Sequence, residues 1–475
     1  MSGLEAIWPQ ISGFAIDNRQ VAAGSVFGAF QGGSFDGEDF ISDAVTRGAI
    51  AVVARAQARV EGALHVVAAN PRRDFAELAA RFYAPYPATT VAVTGTNGKT
   101  SCVELIRQLW HLAGERAASI GTLGVTTSDD QVKAGPGGLT TPDIVTFLSN
   151  AAGLRREGVT HLAFEASSHG LAQHRSEGLP VVAAGFTNLT RDHLDYHGNM
   201  ERYFQAKLRL FDDVLQPDGV AVVWLDAQSA GADYAARVCE AMRARGATLL
   251  TVGPDGDFIR LLKRLPTLLG QTLTIAHSGR EQMLMLPLIG GYQAANALVS
   301  AALVVATGGD AAATFAGLAR ISGVRGRLER AVITPHGAPV YVDYAHTPDA
   351  LEAALRALRP HTANRLILVF GCGGDRDRGK RPEMGAVAVR DADVAIVTDD
   401  NPRSEVPAAI RAEILAAAPG AREIGGRREA IFAAVGEARE GDVVLLAGKG
   451  HEQGQIVGRD VLPFDDVTVA REAAA

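Results

Sequence analysis

Cysteine is scarce in this chain: three residues in 475, Cys102, Cys239 and Cys372, widely separated and in no metal-type spacing. That excludes a disulfide framework and a cysteine-held zinc site, and it suits a reducing compartment in which the thiols are buried. Surplus positive charge is missing too. Lys and Arg number 46 against 53 Asp and Glu, a net charge of −7, so the basic footprint of non-specific nucleic-acid or anionic-membrane binding is absent. Any anionic substrate must then be met by local Arg and Lys. Long apolar runs are lacking as well. The most apolar stretch, ANALVSAALVVATGG at 295–309, falls short of the ~20 residues that cross a bilayer. The N-terminus, MSGLEAIWPQ, lacks the basic start and apolar core of a signal peptide. Internal repeats and low-complexity tracts are not found. The expectation is a cytoplasmic protein with no nucleic-acid partner and no membrane insertion.

What is present is the balance of a globular protein, 47% hydrophobic and 21% charged, in a chain long enough for about three domains. Residues 1–88 alternate short apolar runs (SVFGAF, GAIAVVA, LHVVAA) with Gly- and Asp-rich turns and end in the linker YAPYPATT. From 89 to 325 strand-like runs (VAVTGT, HLAFEAS, VAAGFTN, GVAVVWL) alternate with helical stretches, the rhythm of an α/β domain with a mainly parallel sheet. Gly and Arg cluster in GVRGRLER, a hinge signal, and 326–475 repeats strand, loop and helix. Four of its strands lead into polar or glycine-rich loops: VYVDYAHTP, LILVFGCGGDRDRGKRP, VAIVTDDNPR and VVLLAGKGHE. In open α/β sheets ligands bind beyond the carboxyl ends of strands, where such loops gather.

The sharpest local signal is VAVTGTNGKTS at 91–101. A strand, the turn Gly95, Thr96, Asn97, Gly98, then Lys99, Thr100 and Ser101 opening a helix is the arrangement that cradles phosphates. Backbone N–H groups meet the anion, Lys99 reaches the terminal phosphates and Thr100 suits Mg²⁺. Val93 stands where the standard motif has its first glycine. The loop alone leaves GTPase, kinase, transporter ATPase and ligase open, although no guanine-reading NKxD occurs. Glu165, closing the strand HLAFE, is placed for a Mg²⁺ ligand. DHLDYH at 192–197 gathers Asp192, His193, Asp195 and His197, either as a solvated turn or as part of a metal site. Lys207, among apolar neighbours in YFQAKLRLF, either snorkels from a helix face or is desolvated. In the second case its lowered pKa allows reaction with carbon dioxide to a carbamate.

Taken together and in order, TGTNGKTS, the TTP of 140–142, EASSHGL, TNLTRDHLDYHG, FQAKLRLF, GGYQAANAL, GRLE and VDYAHTP resemble the Mur ligase family, ATP-dependent amide-forming enzymes of peptidoglycan synthesis. The resemblance covers nearly the whole chain. It implies three α/β domains: an N-terminal one for a UDP substrate (1–88), a central P-loop ATPase-like one (89–325) and a Rossmann-like C-terminal one for the incoming amino acid (326–475). It also implies carbamylation of Lys207 and catalytic roles for Lys99, Glu165, His193 and Lys207. Thr100, Glu165, His193 and Lys207 would serve Mg²⁺, and Asn296, Arg327 and Asp343 would join the loop in binding ATP. Thr140, Thr141, Ser167, Gln173 and Arg175 would hold a UDP-muramoyl dipeptide. At the uridine site Asp17-Asn18-Arg19 replaces the frequent Asp-Ser-Arg, and GGSFDG at 32–37 lacks a frequent histidine. A monomer acting on small molecules is expected.

Within the family the chain most resembles the member that extends UDP-N-acetylmuramoyl-L-alanyl-D-glutamate by its third peptide residue. If that residue is meso-diaminopimelate, its second carboxylate calls for the planar fork of an arginine. DNPR, that is Asp400, Asn401, Pro402 and Arg403, supplies one and by resemblance is the diaminopimelate signature. Arg376, Gly448 and Glu452 would complete the pocket, with Glu452 suited to the distal ammonium. Asp399 and Asp400 have no clearer role in the sequence than shaping the loop.

Overall fold

The structure, a computed structural model, describes residues 2–32, 36–127, 132–133 and 140–475. The chain forms two compact units, one of Met1–Phe258 with Val299–Ala311, the other of Ile259–Leu298 with Ala312–Ala475.

The first unit begins with four parallel strands in chain order, Gly13–Ala15, Ser25–Gly28, Ala49–Ala54 and Leu64–Val67. Alternation puts Val26, Ala51 and Val53 in one core with Phe75, Ala76 and Ala79, and Phe27, Val52 and Ala54 in another with Ile41 and Ala44. Both faces are covered, which is why these strands read as unbroken apolar runs. Helix Pro71–Tyr83, which supplies Phe75, opens with Asn70 accepting from the Arg73 N–H and proline in its first turn.

The larger sheet of this unit contains, in order, Thr248–Gly253, Leu215–Trp224, Val181–Phe186, Thr89–Thr94, His161–Glu165, Ala117–Gly121, Gly124–Thr127 and Val132–Lys133. The first six are parallel and the last two are added antiparallel. Register aligns Thr94 with Phe186 and Val93 with Glu165. The loops after these three central strands therefore open at one carboxyl edge, and that edge carries the candidate site.

The second unit contains an antiparallel meander, Ile259–Thr267, Gly270–His277 and Arg280–Leu286. Its other sheet has the order Glu329–Ile333, Pro339–Asp343, Val443–Ala447, Leu366–Phe370, Val394–Val397 and Arg422–Glu423, parallel apart from its first pair. Helices Pro348–Leu358 and Lys380–Asp391 cover one face, and Arg427–Glu437 and Asp466–Ala473 the other. The hairpin Gly454–Val457 with Asp460–Pro463 follows the last parallel strand. No described helix is long and apolar enough to cross a membrane.

Candidate active site

Strand Thr89–Thr94 delivers the phosphate loop into helix Lys99–Leu112. Gly95 has φ +150°, and a Cβ there would lie 1.9 Å from Thr187 Oγ1. Only glycine lets the loop run this close to the strand Val181–Phe186 exit. Gly98, at φ +89°, precedes the helix with no side-chain cap, so the first-turn N–H groups remain aimed at the loop. Asn97 is fixed from outside: its N–H donates to Asn188 Oδ1 and its carbonyl accepts from Thr187 Oγ1. Thr96 donates its hydroxyl to the Thr190 carbonyl, and its N–H donates to Asn188 O. Lys99 Nζ lies over the loop, donating to Gly95 O at 3.0 Å and Thr96 O at 2.8 Å. Ser101 is buried in the first helical turn.

Glu165 is buried at the end of its strand. It accepts from Thr100 Oγ1 at 3.1 Å, from the Thr122 N–H at 2.7 Å and from the Thr122 hydroxyl at 3.3 Å. Thr122 Oγ1 also lies within hydrogen-bond distance, 3.2 Å, of Thr140 Oγ1. Gly121 is required beside it, because a Cβ would stand 2.1 Å from Glu165 Oε1. Thr141 Oγ1 bridges Glu165 O and Ser167 Oγ, and Ser167 caps helix Ser168–Ala172. Arg175 donates to Thr141 O and to Gln173 Oε1, while Gln173 donates to the Tyr196 hydroxyl. Thr140, Thr141, Ser167, Gln173 and Arg175, scattered over 36 positions in the sequence, thus form one bonded network.

Lys207 decides its own alternatives. It is 1% exposed on helix Met200–Arg209, and its Nζ donates to Gly95 O at 2.7 Å and lies 4.6 Å from the Tyr203 ring centre. It does not snorkel. Burial pushes its pKa well below the ordinary lysine value; the Lys99 charge pushes the same way and Asp192 opposes. His193, at φ +51°, is half-exposed; its ring nitrogen lies 3.4 Å from Asp192 and its ring packs on His169 and Tyr203. The turn DHLDYH is thus partly solvated, yet its rings reach the Lys207 side through Tyr203. His197 is held down to about 4 by burial, helped by His169, His193 and Lys207. Among the described residues no three of His, Cys, Asp and Glu are grouped to hold a metal.

Asn18 is not joined to this network; its amide donates to Asp43 Oδ2 at 2.7 Å, beside the Asp17–Arg19 pair. Of GGSFDG, residues 33–35 lie outside the described residues. In the second unit, Gln293 connects Asn296 to the Arg327 carbonyl. The Arg327 guanidinium lies over Tyr344, next to Asp343, whose carboxylate accepts from the Leu328 and Ala345 N–H groups. Burial raises the Asp343 pKa against those bonds and the Arg327 charge.

The second cluster of predicted residues lies at the carboxyl ends of Val394–Val397 and Val443–Ala447. Asn401 is its centre: the amide donates to Glu452 Oε2 at 2.8 Å, and its oxygen accepts from Lys449 Nζ and from the Ile456 N–H. Arg403 sits at φ +51°, its backbone bonded on both sides to the hairpin, N–H to Ile456 O and carbonyl from Gly458 N–H. Its guanidinium donates to Gly374 O at 2.8 Å. Pro402 O lies where a Gly374 Cβ would be, and Gly448, at φ +111°, leaves room for Asp400 Oδ2, a buried oxygen without a bonded partner among the described residues. Arg376 is exposed on the neighbouring loop.

Residues 10–87 match the family description "Mur ligase family, catalytic domain", residues 93–304 the "Mur ligase middle domain" and residues 326–450 the "Mur ligase, glutamate ligase domain". The chain belongs to the Mur ligase family. Its relatives include proteins named UDP-N-acetylmuramoyl-L-alanyl-D-glutamate--2,6-diaminopimelate ligase. The one from Zymomonas mobilis subsp. mobilis is 58% identical across 98% of this chain and 94% of its own. That from Caulobacter vibrioides is 52% identical across 98% and 96%. A solved structure titled as a ligase of the same name superposes with a TM-score of 0.72 at 34% identity, covering 98% of this chain and 94% of its own. The fold also matches a Mycobacterium tuberculosis folylpolyglutamate synthase complexed with ADP, TM-score 0.63 at 20% identity over 84% and 93%.

Several residues that shape this Mur ligase site are silent in the sequence. Thr122 bridges Glu165 to Thr140, Tyr203 lines the Lys207 amine, and Lys449, fully buried, joins Asn401 to Glu452. Lys449 was within reach, since it stands inside the GKGHE run already singled out. Arg381, also fully buried, pairs with Glu405 and Glu413 and donates to Gly373 O, binding the Arg376 and Arg403 loops together.

Proposed function

We propose that this enzyme is the ATP-dependent ligase that adds meso-diaminopimelate to UDP-N-acetylmuramoyl-L-alanyl-D-glutamate, forming the tripeptide precursor of peptidoglycan. The single observation that carries the reading is the buried Lys207 amine 2.7 Å from the phosphate-loop Gly95 carbonyl, beside the Thr100–Glu165 pair. We assign the uridine portion of the substrate to 1–88, including Asn18, the ATP chemistry to 89–325, and the incoming amino acid to 326–475. The three matched segments, 10–87, 93–304 and 326–450, fall within these bounds.

A carboxylate is a poor electrophile, so the D-glutamyl carboxylate oxygen attacks the γ-phosphorus of ATP, ADP leaves, and an acyl phosphate forms. The substrate amine then attacks the acyl carbon, and inorganic phosphate departs with the C–O bond while the amine loses its proton. Lys99 and the loop N–H groups bind the phosphate oxygens and hold them in line. No protein nucleophile is needed. A desolvated, neutral Lys207 amine can attack carbon dioxide, forming an N–C bond and releasing one proton, to give an anionic carbamate. The Thr100 hydroxyl, the Glu165 carboxylate and this carbamate are oxygen donors of the kind Mg²⁺ takes beside substrate phosphates, with His193 as a further ligand. When bound, Mg²⁺ neutralises phosphate oxygens that otherwise repel the incoming carboxylate.

Arg403 supports diaminopimelate over lysine, because its fork matches a second carboxylate that lysine lacks. Glu452 would meet the distal ammonium. The deciding experiment is phosphate release from ATP and UDP-muramoyl dipeptide with diaminopimelate or L-lysine as acceptor. Release with diaminopimelate and little with lysine is expected; the reverse order would reject the assignment.

A further inference from the structure

Helix Pro71–Tyr83, none of whose residues has been given a substrate contact, carries a second arginine toward the substrate network. Arg72 is half-buried, donates one N–H to the Gln31 carbonyl at 3.0 Å and lies 4.9 Å from the Phe30 ring centre. The segment holding it abuts the Gln173–Arg175 turn: Asn70 Nδ2 is 3.1 Å from His174 Nε2. His174 is itself clamped by Glu177, which also binds Arg209 on the Lys207 helix. Arg175 is likewise half-buried and bonds only neutral acceptors, Thr141 O and Gln173 Oε1. Among the described residues neither arginine forms an ion pair, although the Asp143 carboxylate acts at longer range on Arg175. Each guanidinium carries five N–H groups, most of them uncommitted here. Burial lowers the Arg72 pKa; the nearby Tyr196 opposes this and the charge of Arg175 adds to it.

Two half-buried like charges on segments that touch through Asn70 and His174 are costly unless an anion joins them. Position identifies the anion. Phe30 and Gln31 lead into the GGSFDG segment assigned to uridine, whereas Arg175 belongs to the set assigned to the muramoyl dipeptide. The group that links nucleoside to amino sugar in such a substrate is its diphosphate. We propose that Arg72 is a substrate-binding residue that, together with Arg175, holds the diphosphate of the nucleotide-sugar substrate. This rests on the function proposed above, and it adds Arg72 as the cation on the nucleotide side of that diphosphate.

The test is direct binding of uridine, UMP and UDP to the full-length wild-type protein, Arg72→Ala and Arg72→Lys, with steady-state kinetics alongside. In Arg72→Ala the preference for UDP over uridine should fall by about tenfold or more, as expected for loss of a charge-assisted bond. Uridine affinity and the KM for ATP and diaminopimelate should stay unchanged, the KM for the nucleotide substrate should rise in step, and Arg72→Lys should recover part of the preference. An unchanged UDP-to-uridine ratio would overturn the proposal. So would equal loss of uridine and UDP, which would mark Arg72 as a packing residue of the Phe30 loop. Absence of amide product from the wild type would instead reject the ligase reading, with the binding comparison still deciding the role of Arg72.

Discussion

Arg403 holds a backbone conformation that L-residues rarely adopt, and it is kept there by two hairpin bonds and the Gly374 carbonyl. Such over-determination fixes where a charged group points. Arg403→Ala should therefore raise the KM for diaminopimelate by at least about tenfold while the KM for ATP is unchanged, the size expected for a lost charge-assisted bond; steady-state kinetics with each substrate varied in turn checks this. Lys207→Ala should lose most activity and recover part of it with a small added carboxylate such as formate. Full activity without any supplement would rule out a carbamate. Asp399, with no evident role in the sequence, is tied by ion pair to Arg411, so it anchors the loop. Arg427 and Asp466 form an ion pair at 0% exposure on both sides. Asp466→Ala leaves a buried uncompensated guanidinium and should cost about 3–5 kcal/mol by denaturant unfolding.

At the scale of elements, the carboxyl edge of the larger sheet works because glycine stands at each close approach. Gly95→Ala places a methyl group against Thr187 in a backbone region unfavourable to L-residues, and ATP turnover should fall more steeply than thermal stability. The loop bearing Arg403 is tethered by Glu405, whose bonds to Arg381 and the Asp375 N–H hold its pKa at about 2 against an ordinary 4.5. A depressed carboxylate contributes its full stabilisation above the ordinary value and loses it as pH falls toward the depressed one. The Tm difference between wild type and Glu405→Gln should accordingly be constant above about pH 5 and shrink below it. Elements differ in how well their sequence announces them. The parallel strands are buried on both faces and read as apolar runs. The meander at 259–286 was not legible, because Leu265, Met283 and Met285 on its exposed face are as apolar as Leu273, Leu284 and Leu286 beneath. Without contrast between faces, period-two alternation disappears.

For the whole molecule, a net charge of −7 means that anionic substrates are bound against the average field, through a few placed cations. Lys99 lies on the phosphate loop, Arg72 and Arg175 beside the predicted nucleotide-sugar residues, and Arg403 in the predicted amino-acid pocket. Ligands that bind only the native chain stabilise it by mass action. ATP at about 100 times its Kd should add about 2.7 kcal/mol, read as a rise in Tm that persists in Arg403→Ala. A wild-type Tm indifferent to ATP would contradict nucleotide binding at the loop.

The sequence by itself determined the α/β class, the phosphate loop and the family, because these depend on local order: a strand, a turn and a helix in succession, and motifs in a given sequence. Candidate residues such as Thr140 and Ser167 could be named from those motifs, and Arg175 from the family resemblance they carry. Tertiary structure alone decided whether they meet, which of them are desolvated and what stands beside them. Lys207 could have been a surface lysine until the phosphate loop and Tyr203 closed over it. Thr122 and Arg72 carry no signature, since a threonine or arginine acquires its role only from partners brought close by the fold. Burial and pairing are long-range properties, and they set the charge on which the chemistry depends.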